Sequence, residues 1–177
     1  MIQNLSKKYN IIYADPPWQY RDKSLNRGGA ERHYTTMDEK DIANLNIKDI
    51  TDENCILFIW TTFPKLFDTE KIIKEWGFTY KTLGFVWIKK NKKSLTNFWG
   101  MGSWTRSNPE ICLIAIKGNP KRISASVHSV IESPIEKHSK KPDIVKDKII
   151  ELVGDLPRIE LFARQTTDGW DVWGNEV

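Results

Sequence analysis

Five short runs of apolar, mostly β-branched residues recur along the chain: 10–14 (NIIYA), 55–60 (CILFIW), 83–89 (LGFVWIK), 110–117 (EICLIAIK) and 158–163 (RIELFA). Runs this short, without strict polar alternation, are strands covered on both faces. Segments with helical spacing lie between them. Thr36-Met37-Asp38-Glu39 reads as a capping box opening a short helix through Leu45. Residues 64–76 set apolar side chains at 67, 72, 73 and 76 and stop at Gly77. Residues 142–153 start with a proline in the first turn and end before Gly154. Strands alternating with crossover helices predict an α/β fold, with a mainly parallel sheet and helices on both faces. No repeat and no linker-like stretch interrupts the 177 residues, so one domain over 1–177 is expected.

Composition narrows the partners. With 40% apolar and 28% charged residues the chain is neither disordered nor fibrous. Lys and Arg number 27 against 23 Asp and Glu, a net +4 that suits a polyanion. Three polar stretches, 16–35, 91–108 and 118–141, are long for loops of such a fold. They carry Arg21, Lys23, Arg27 and Arg32, then Lys92, Lys93 and Arg106, then Lys121, Arg122, Lys137, Lys140 and Lys141. A solvated surface explains any one of them; together they predict a shared polyanion-binding face. Cys55 and Cys112 sit inside apolar runs and read as buried free thiols, and no Cys/His cluster has metal-ligand spacing, so no metal is expected. Nothing resembles a signal peptide or reaches the ~20 apolar residues of a membrane span, so a cytoplasmic protein without membrane partners is expected. Eight tryptophans are a high number: Trp60, Trp76 and Trp87 read as core, Trp170 and Trp173 as packing walls, and Trp99 and Trp104 stay unassigned.

Asp15-Pro16-Pro17-Trp18 follows the first strand directly. In an open α/β sheet the loop leaving the carboxyl end of a strand is where ligands bind. Two prolines fix φ and remove two backbone donors, which is expected to leave their carbonyls as rigid, unpaired acceptors. The loop then offers the Asp15 carboxylate and the Pro16 carbonyl as acceptors, with the Trp18 ring alongside as a stacking wall. Such a set suits a planar group bearing an NH2. The plainer alternative is a Pro-Pro turn capped by Asp, with Trp18 as a lid on the core.

DPPW after an apolar strand resembles the catalytic motif of S-adenosyl-L-methionine (SAM)-dependent methyltransferases acting on adenine N6, specifically the MT-A70-like branch. That branch includes the catalytic subunit of the eukaryotic messenger-RNA adenosine methyltransferase and many bacterial and phage proteins. The resemblance runs from about Ile11 to Val177 through His33-Tyr34-x-Thr36-Met37, Leu57-Phe58-Ile59-Trp60-Thr61 and Gly84-Phe85-Val86-Trp87-x-Lys89. It continues through Glu110-Ile111-Cys112-Leu113, Lys117-Gly118, His138-Ser139-x-Lys141-Pro142 and Glu160-Leu161-Phe162-Ala163-Arg164, closing on Gly169-Trp170-Asp171-x-Trp173-Gly174-Asn175-Glu176. It implies a Rossmann-like methyltransferase fold in permuted order, the catalytic strand before the cofactor strand, as in β-type amino-methyltransferases. The catalytic residues it implies are Asp15, Pro16, Pro17 and Trp18. Asp15 and Pro16 would hold the target amine in line with the methyl donor, which is most of the catalysis for so weak a nucleophile. Carbon methylation of cytosine needs a Cys nucleophile, and the strand placement of both cysteines excludes that route.

For SAM the resemblance implies Asp15, Leu161, Phe162, Arg164, Asn175 and Glu176, with Lys141 before a helix N-terminus to meet the methionine carboxylate. Thr166 stands where many relatives carry a His. Longer relatives have an upstream segment against the cofactor's adenine, so weaker SAM binding is expected here. For the substrate it implies Trp18, Tyr34, Arg106, Asn108 and Glu110, the last either reading an adenine edge or pairing with a lysine. Lys92, Lys93, Lys121 and Arg122 would touch phosphates. The bare catalytic core favours DNA as substrate. RNA adenosine is the alternative, and a catalytically silent nucleic-acid- or partner-binding relative is a third. Homo- or hetero-oligomeric assembly is left open.

Overall fold

Alternate side chains of the apolar runs enter two different buried layers, and this makes them central strands. The structure, a computed structural model, describes residues 7–19, 36–102, 104–136, 140–175 and 177. Its strands are β1 (Tyr9–Ala14), β2 (Thr51–Thr61), β3 (Thr79–Lys90), β4 (Glu110–Lys117), β5 (Val130–Pro134), β6 (Arg158–Leu161) and β7 (Asp171–Trp173). They form one sheet in the order β5-β3-β4-β2-β1-β6-β7. Ile12, Ala14, Leu57, Ile59 and Leu113 face one layer, which α1 (Glu39–Ala43) and α2 (Leu66–Glu75) fill with Ile42, Ile72 and Ile73. Ile11, Tyr13, Phe58, Trp60 and Trp87 face the other, covered by Val145, Ile149 and Val153 of α3 (Ile144–Val153). Helices therefore cover both faces, as expected. Trp60, Trp76 and Trp87 are core residues.

Two helix starts differ from expectation. The N-cap of α1 is Asp38, whose carboxylate accepts the Lys40 N–H at 2.6 Å, and not Thr36. The chain just before it is held extended, because Met37 donates its N–H to the Pro17 carbonyl at 2.9 Å and bridges to Trp18. Pro142 precedes the α3 N-cap Asp143 instead of lying in the first turn.

Strand direction sorts the loops. Every strand runs parallel to its neighbours except β4, which is antiparallel to both β2 and β3. β1 lies between β2 and β6, where the chain order reverses, and this is the switch point at which open α/β sheets bind ligands. Because β4 runs backwards, residues 91–108 join β3 to β4 at the carboxyl edge of the parallel strands. Residues 118–129 leave β4 at the opposite edge. There Asn119 donates its N–H to the Asn54 side chain at 2.7 Å, and Ile123 donates to the Leu152 carbonyl at 2.8 Å. The expectation that three basic loops share one rim is thus corrected in part: β5 splits the third, returning Lys140 and Lys141 to the carboxyl edge, while Arg21, Lys23, Arg27, Arg32 and Lys137 lie outside the described residues. Lys121 and Arg122 lie at the far edge from Asp15, and the apolar pattern of a buried strand does not encode its direction. β5 and β7 were not expected; both are short edge strands, and exposed side chains alternate along β5.

Gly118 makes the turn at the far edge possible: its φ is +68° and a Cβ there would lie 2.2 Å from the Glu53 carbonyl oxygen. Gly118→Ala is expected to lower unfolding free energy by at least ~1–2 kcal/mol. Activity per folded molecule should stay the same, since this edge carries no site residue. Urea denaturation with unchanged stability would contradict this placement of the turn.

Candidate active site

The DPPW loop is a tight turn packed from beneath. Pro16 accepts the Trp18 N–H at 2.9 Å, an i→i+2 bond centred on Pro17, and Pro17 accepts from Met37. The proline carbonyls are therefore not left unpaired. Each takes one backbone hydrogen bond, and a carbonyl oxygen has a second lone pair to offer. Trp18, expected as a stacking wall, is 4% exposed and donates its indole N–H to the Trp60 carbonyl at 3.3 Å. It anchors the turn in the core, as the plainer alternative has it.

Asp15 leaves this turn at the end of β1 and meets a lysine. Lys141 Nζ lies 2.8 Å from Asp15 Oδ2 and 3.2 Å from Glu110 Oε2, and Lys89 Nζ lies 2.5 Å from Glu110 Oε1. Lys141 also stands 5.6 Å over the Trp60 ring, whose N–H is fixed on the Tyr13 hydroxyl at 2.7 Å. Asp15, Trp60 and Glu110 thus meet at one edge of the sheet, from the carboxyl ends of β1 and β2 and the amino end of the reversed β4, and Lys141 comes from the residues before α3. Burial raises the Asp15 carboxyl above its ordinary 3.8; Lys141 pulls it back, Glu110 adds a push, and Arg164 a weaker pull. For Glu110 burial also opposes charge, but the ammoniums of Lys141 and Lys89 outweigh it and hold the carboxyl at about 2. Burial opposes charge on Lys141 too, and its two carboxylates overcome this and raise it above its ordinary 10.5. Burial pushes the Cys55 thiol up to about 12 and holds Cys112 well above its ordinary value, so neither offers a thiolate.

The adjoining rim is built from the end of β6. Ala14 pairs with Leu161, which is fully buried, so the chain after β6 emerges beside Asp15. Phe162 has a φ of 62°, turning the chain so that its ring packs edge-on against Trp173 at 5.6 Å. Ala163 donates to the Trp173 carbonyl at 3.0 Å. A Cβ on Gly174 would meet the Ala163 oxygen at 2.1 Å, so only glycine lets the return strand lie this close. Asn175 follows, exposed, as are Arg164 and Thr166. Behind the rim Lys146 pairs with Glu160 at 2.5 Å and donates to Thr167 at 2.7 Å.

The structure brings Asp15, Pro16, Lys141, Glu110, Leu161, Phe162, Arg164 and Asn175 to the carboxyl edge. Of the two options for Glu110, pairing with lysines is what is seen. Lys141, expected on a cofactor carboxylate, bridges two protein carboxylates. Asn108 is occupied by backbone: it accepts the Lys89 N–H at 2.9 Å and donates to the carbonyls of Lys89, at 2.9 Å, and Phe98. Arg106 donates to the Gly100 and Trp99 carbonyls. These two hold their own loop together. Lys92 and Lys93 are exposed on that loop, at the catalytic edge. Tyr34 and Glu176 lie outside the described residues. Sequence reasoning overlooked Lys89, Trp60 and the Lys146–Glu160 pair as parts of the site. The spacing Trp87-x-Lys89 carried a signal, since a lysine ending a buried strand needs a carboxylate.

Glu110 sets a pH test. A carboxyl lowered from 4.5 to about 2 stabilises the fold above 4.5, and that stability is lost as pH falls through about 2. Glu110→Gln is therefore expected to cost roughly 3 kcal/mol at neutral pH, with the gap to the unaltered protein closing below 4.5 and gone near 2. A gap that stays constant across this range in pH-dependent urea titrations would contradict the network.

Comparison with known proteins agrees with this geometry. The MT-A70 family model matches residues 9–176. The type II methyltransferase M.MunI of a Mycoplasma species is 36% identical over 190 residues, covering 97% of this chain and 78% of its own. The human N(6)-adenosine-methyltransferase catalytic subunit METTL3 is 27% identical, covering 96% of this chain and 28% of its own. An Arabidopsis thaliana N(6)-adenosine-methyltransferase MT-A70-like protein is 26% identical, with 96% and 24% covered. The chain thus spans about a quarter of these plant and human relatives. With its DPPW turn, its lysine-paired carboxylates and a family match over almost its whole length, the chain belongs to the MT-A70 family.

Proposed function

We propose that this adenine-N6 methyltransferase takes its methyl group from SAM and delivers it to adenine in DNA. The observation that carries the reading is the position of Asp15: at the switch point, on a turn fixed by two prolines, with Lys141 at 2.8 Å. The donor set there fits SAM, a zwitterionic nucleoside with a positively charged sulfur. Asp15 suits a cation, the Arg164 guanidinium and the Asn175 amide suit a carboxylate and hydroxyls, and Phe162 offers an apolar ring. When bound, SAM supplies an electrophilic methyl group.

The chain's own residues do the rest by orientation. Adenine N6 is a poor nucleophile because its lone pair is delocalised into the ring. An amine that donates one N–H to the Asp15 carboxylate and the other toward Pro16 has its lone pair aimed in one direction, which replaces a random encounter by a fixed one. As positive charge develops on nitrogen, the nearby carboxylate stabilises it, and the amine's surplus proton would leave to solvent once the methyl group is in place. Lys141 keeps Asp15 ionised for this, and Trp60 and Trp18 keep the turn from shifting. No thiol participates. The match to the type II methyltransferase, at 36% identity with 78% of its length covered, supports DNA. Matches to adenosine methyltransferases over 96% of this chain support RNA adenosine as the second reading.

The test is label transfer from SAM to matched DNA and RNA, with digestion to nucleosides. N6-methyldeoxyadenosine is expected, and Asp15→Ala should lower the rate by at least ~10²-fold. The rate should also fall at low pH, with a midpoint above 3.8 because the Asp15 carboxyl is raised and must be ionised to accept. Equal transfer by Asp15→Ala would overturn the mechanism, and label in RNA alone would overturn the choice of DNA.

A further inference from the structure

The described residues 91–102 and 104–108 form a hydrogen-bonded arm on the carboxyl edge. Asn91 donates its N–H to the Thr96 carbonyl at 2.8 Å, Phe98 to Lys89 at 2.9 Å, and Gly100 to Ser107 at 2.7 Å. Asn108 clamps the foot of the arm to Lys89. Arg106 ties its far part by donating to the carbonyls of Trp99 and Gly100. The end of the arm carries large apolar side chains in water: Trp104 is 98% exposed, Met101 87% and Trp99 53%. Apolar groups held out on a well-bonded arm mark a contact surface more strongly than the same groups on a loose segment.

Charge and position select the partner. Lys92 and Lys93 stand exposed on the same arm, so its contact surface combines ammonium groups with open indole faces. That combination suits phosphates and stacked bases together. The arm leads into Glu110 at the start of β4, which reaches Asp15 through a single lysine, at 3.2 Å and 2.8 Å. What the arm's tip touches therefore lies on the same edge of the sheet as the base in the site. An adenine that enters this site from a duplex must leave its stack, opening a gap that costs a few kcal/mol to maintain. Apolar side chains inserted between base steps are a known way to hold such a distortion.

We propose that Trp104, with Met101, is a stacking wedge that enters the base stack of duplex nucleic acid next to the adenine held by Asp15. This rests on the functional reading above, that the protein methylates adenine in nucleic acid. The wedge is needed on a duplex, where the gap exists, and matters less on a single strand.

The experiment compares the unaltered protein, Trp104→Ala and Trp104→Phe on a short duplex and on its adenine-containing single strand. Methyl transfer is followed, together with the fluorescence of 2-aminopurine placed at the target position. Trp104→Ala should lower the duplex-to-single-strand ratio of rates by about tenfold, from the loss of one aromatic stacking contact. It should also suppress the 2-aminopurine rise on the duplex, and Trp104→Phe should restore most of both. An unchanged ratio would overturn the wedge, as would an unaltered protein active on single strands only. A ratio that holds while Trp104→Ala changes the mass in light scattering would assign the tip to contact between copies instead. Absence of methyl transfer to either substrate by the unaltered protein would refute the functional reading alone, and the 2-aminopurine signal would still decide the wedge.

Discussion

One ammonium holds the site together. Lys141 stands between two carboxylates that the sheet brings to the same edge from strands separated by β2. Without it, Asp15 and Glu110 would be neighbouring partly buried anions, an arrangement that costs several kcal/mol when its counter-charge is removed. The Trp60 ring beneath the ammonium lets a charged group sit on an apolar floor. Because Lys141 lies two residues before the α3 N-cap Asp143, the same contact fixes where that helix begins against the sheet. Lys89 completes the set by sharing Glu110, which leaves Lys141 more available to Asp15.

The second constraint is the reversed strand. A parallel β4 would have carried residues 91–108 and 118–129 to different places. Antiparallel pairing sends the first to the catalytic edge and the second away from it. The carboxyl edge so collects the DPPW turn, the 91–108 arm, the residues before α3 and the turn after β6. In the function proposed, the turn supplies the acceptors, the arm the nucleic-acid contact, the residues before α3 the cation, and the end of β6 the cofactor rim.

The core of this arrangement was legible in the sequence wherever burial dictated residue type. Runs such as CILFIW have apolar residues at every position because both faces of β2 are covered, and α2 and α3 follow from spacing and the glycine past each end. DPPW was legible as a ligand turn because strand, prolines and carboxylate are contiguous. Other features depend on partners distant in the chain. Lys121 and Arg122 look no different in sequence from Lys92 and Lys93, yet the direction of β4 puts them on opposite edges. Asn108 and Arg106 have the donors of substrate contacts, but their own loop's backbone uses them. Trp18 was placed at the chemistry by adjacency, whereas its ring turns inward to the Trp60 carbonyl. β5 and β7, pairing on one side only, carry too few buried positions to show a pattern.

These parts converge on the charge state of one carboxyl. The mechanism requires an Asp15 that is raised by burial yet ionised near neutral pH, flanked by a lysine shared with Glu110. Carbon-13 NMR of labelled aspartate carboxyls, titrated in the unaltered protein and in Glu110→Gln, measures this directly. The expected result is an Asp15 midpoint above the ordinary 3.8 but below neutrality, moving down in Glu110→Gln as the like charge is lost. An Asp15 that titrates at its ordinary value and ignores Glu110 would contradict it.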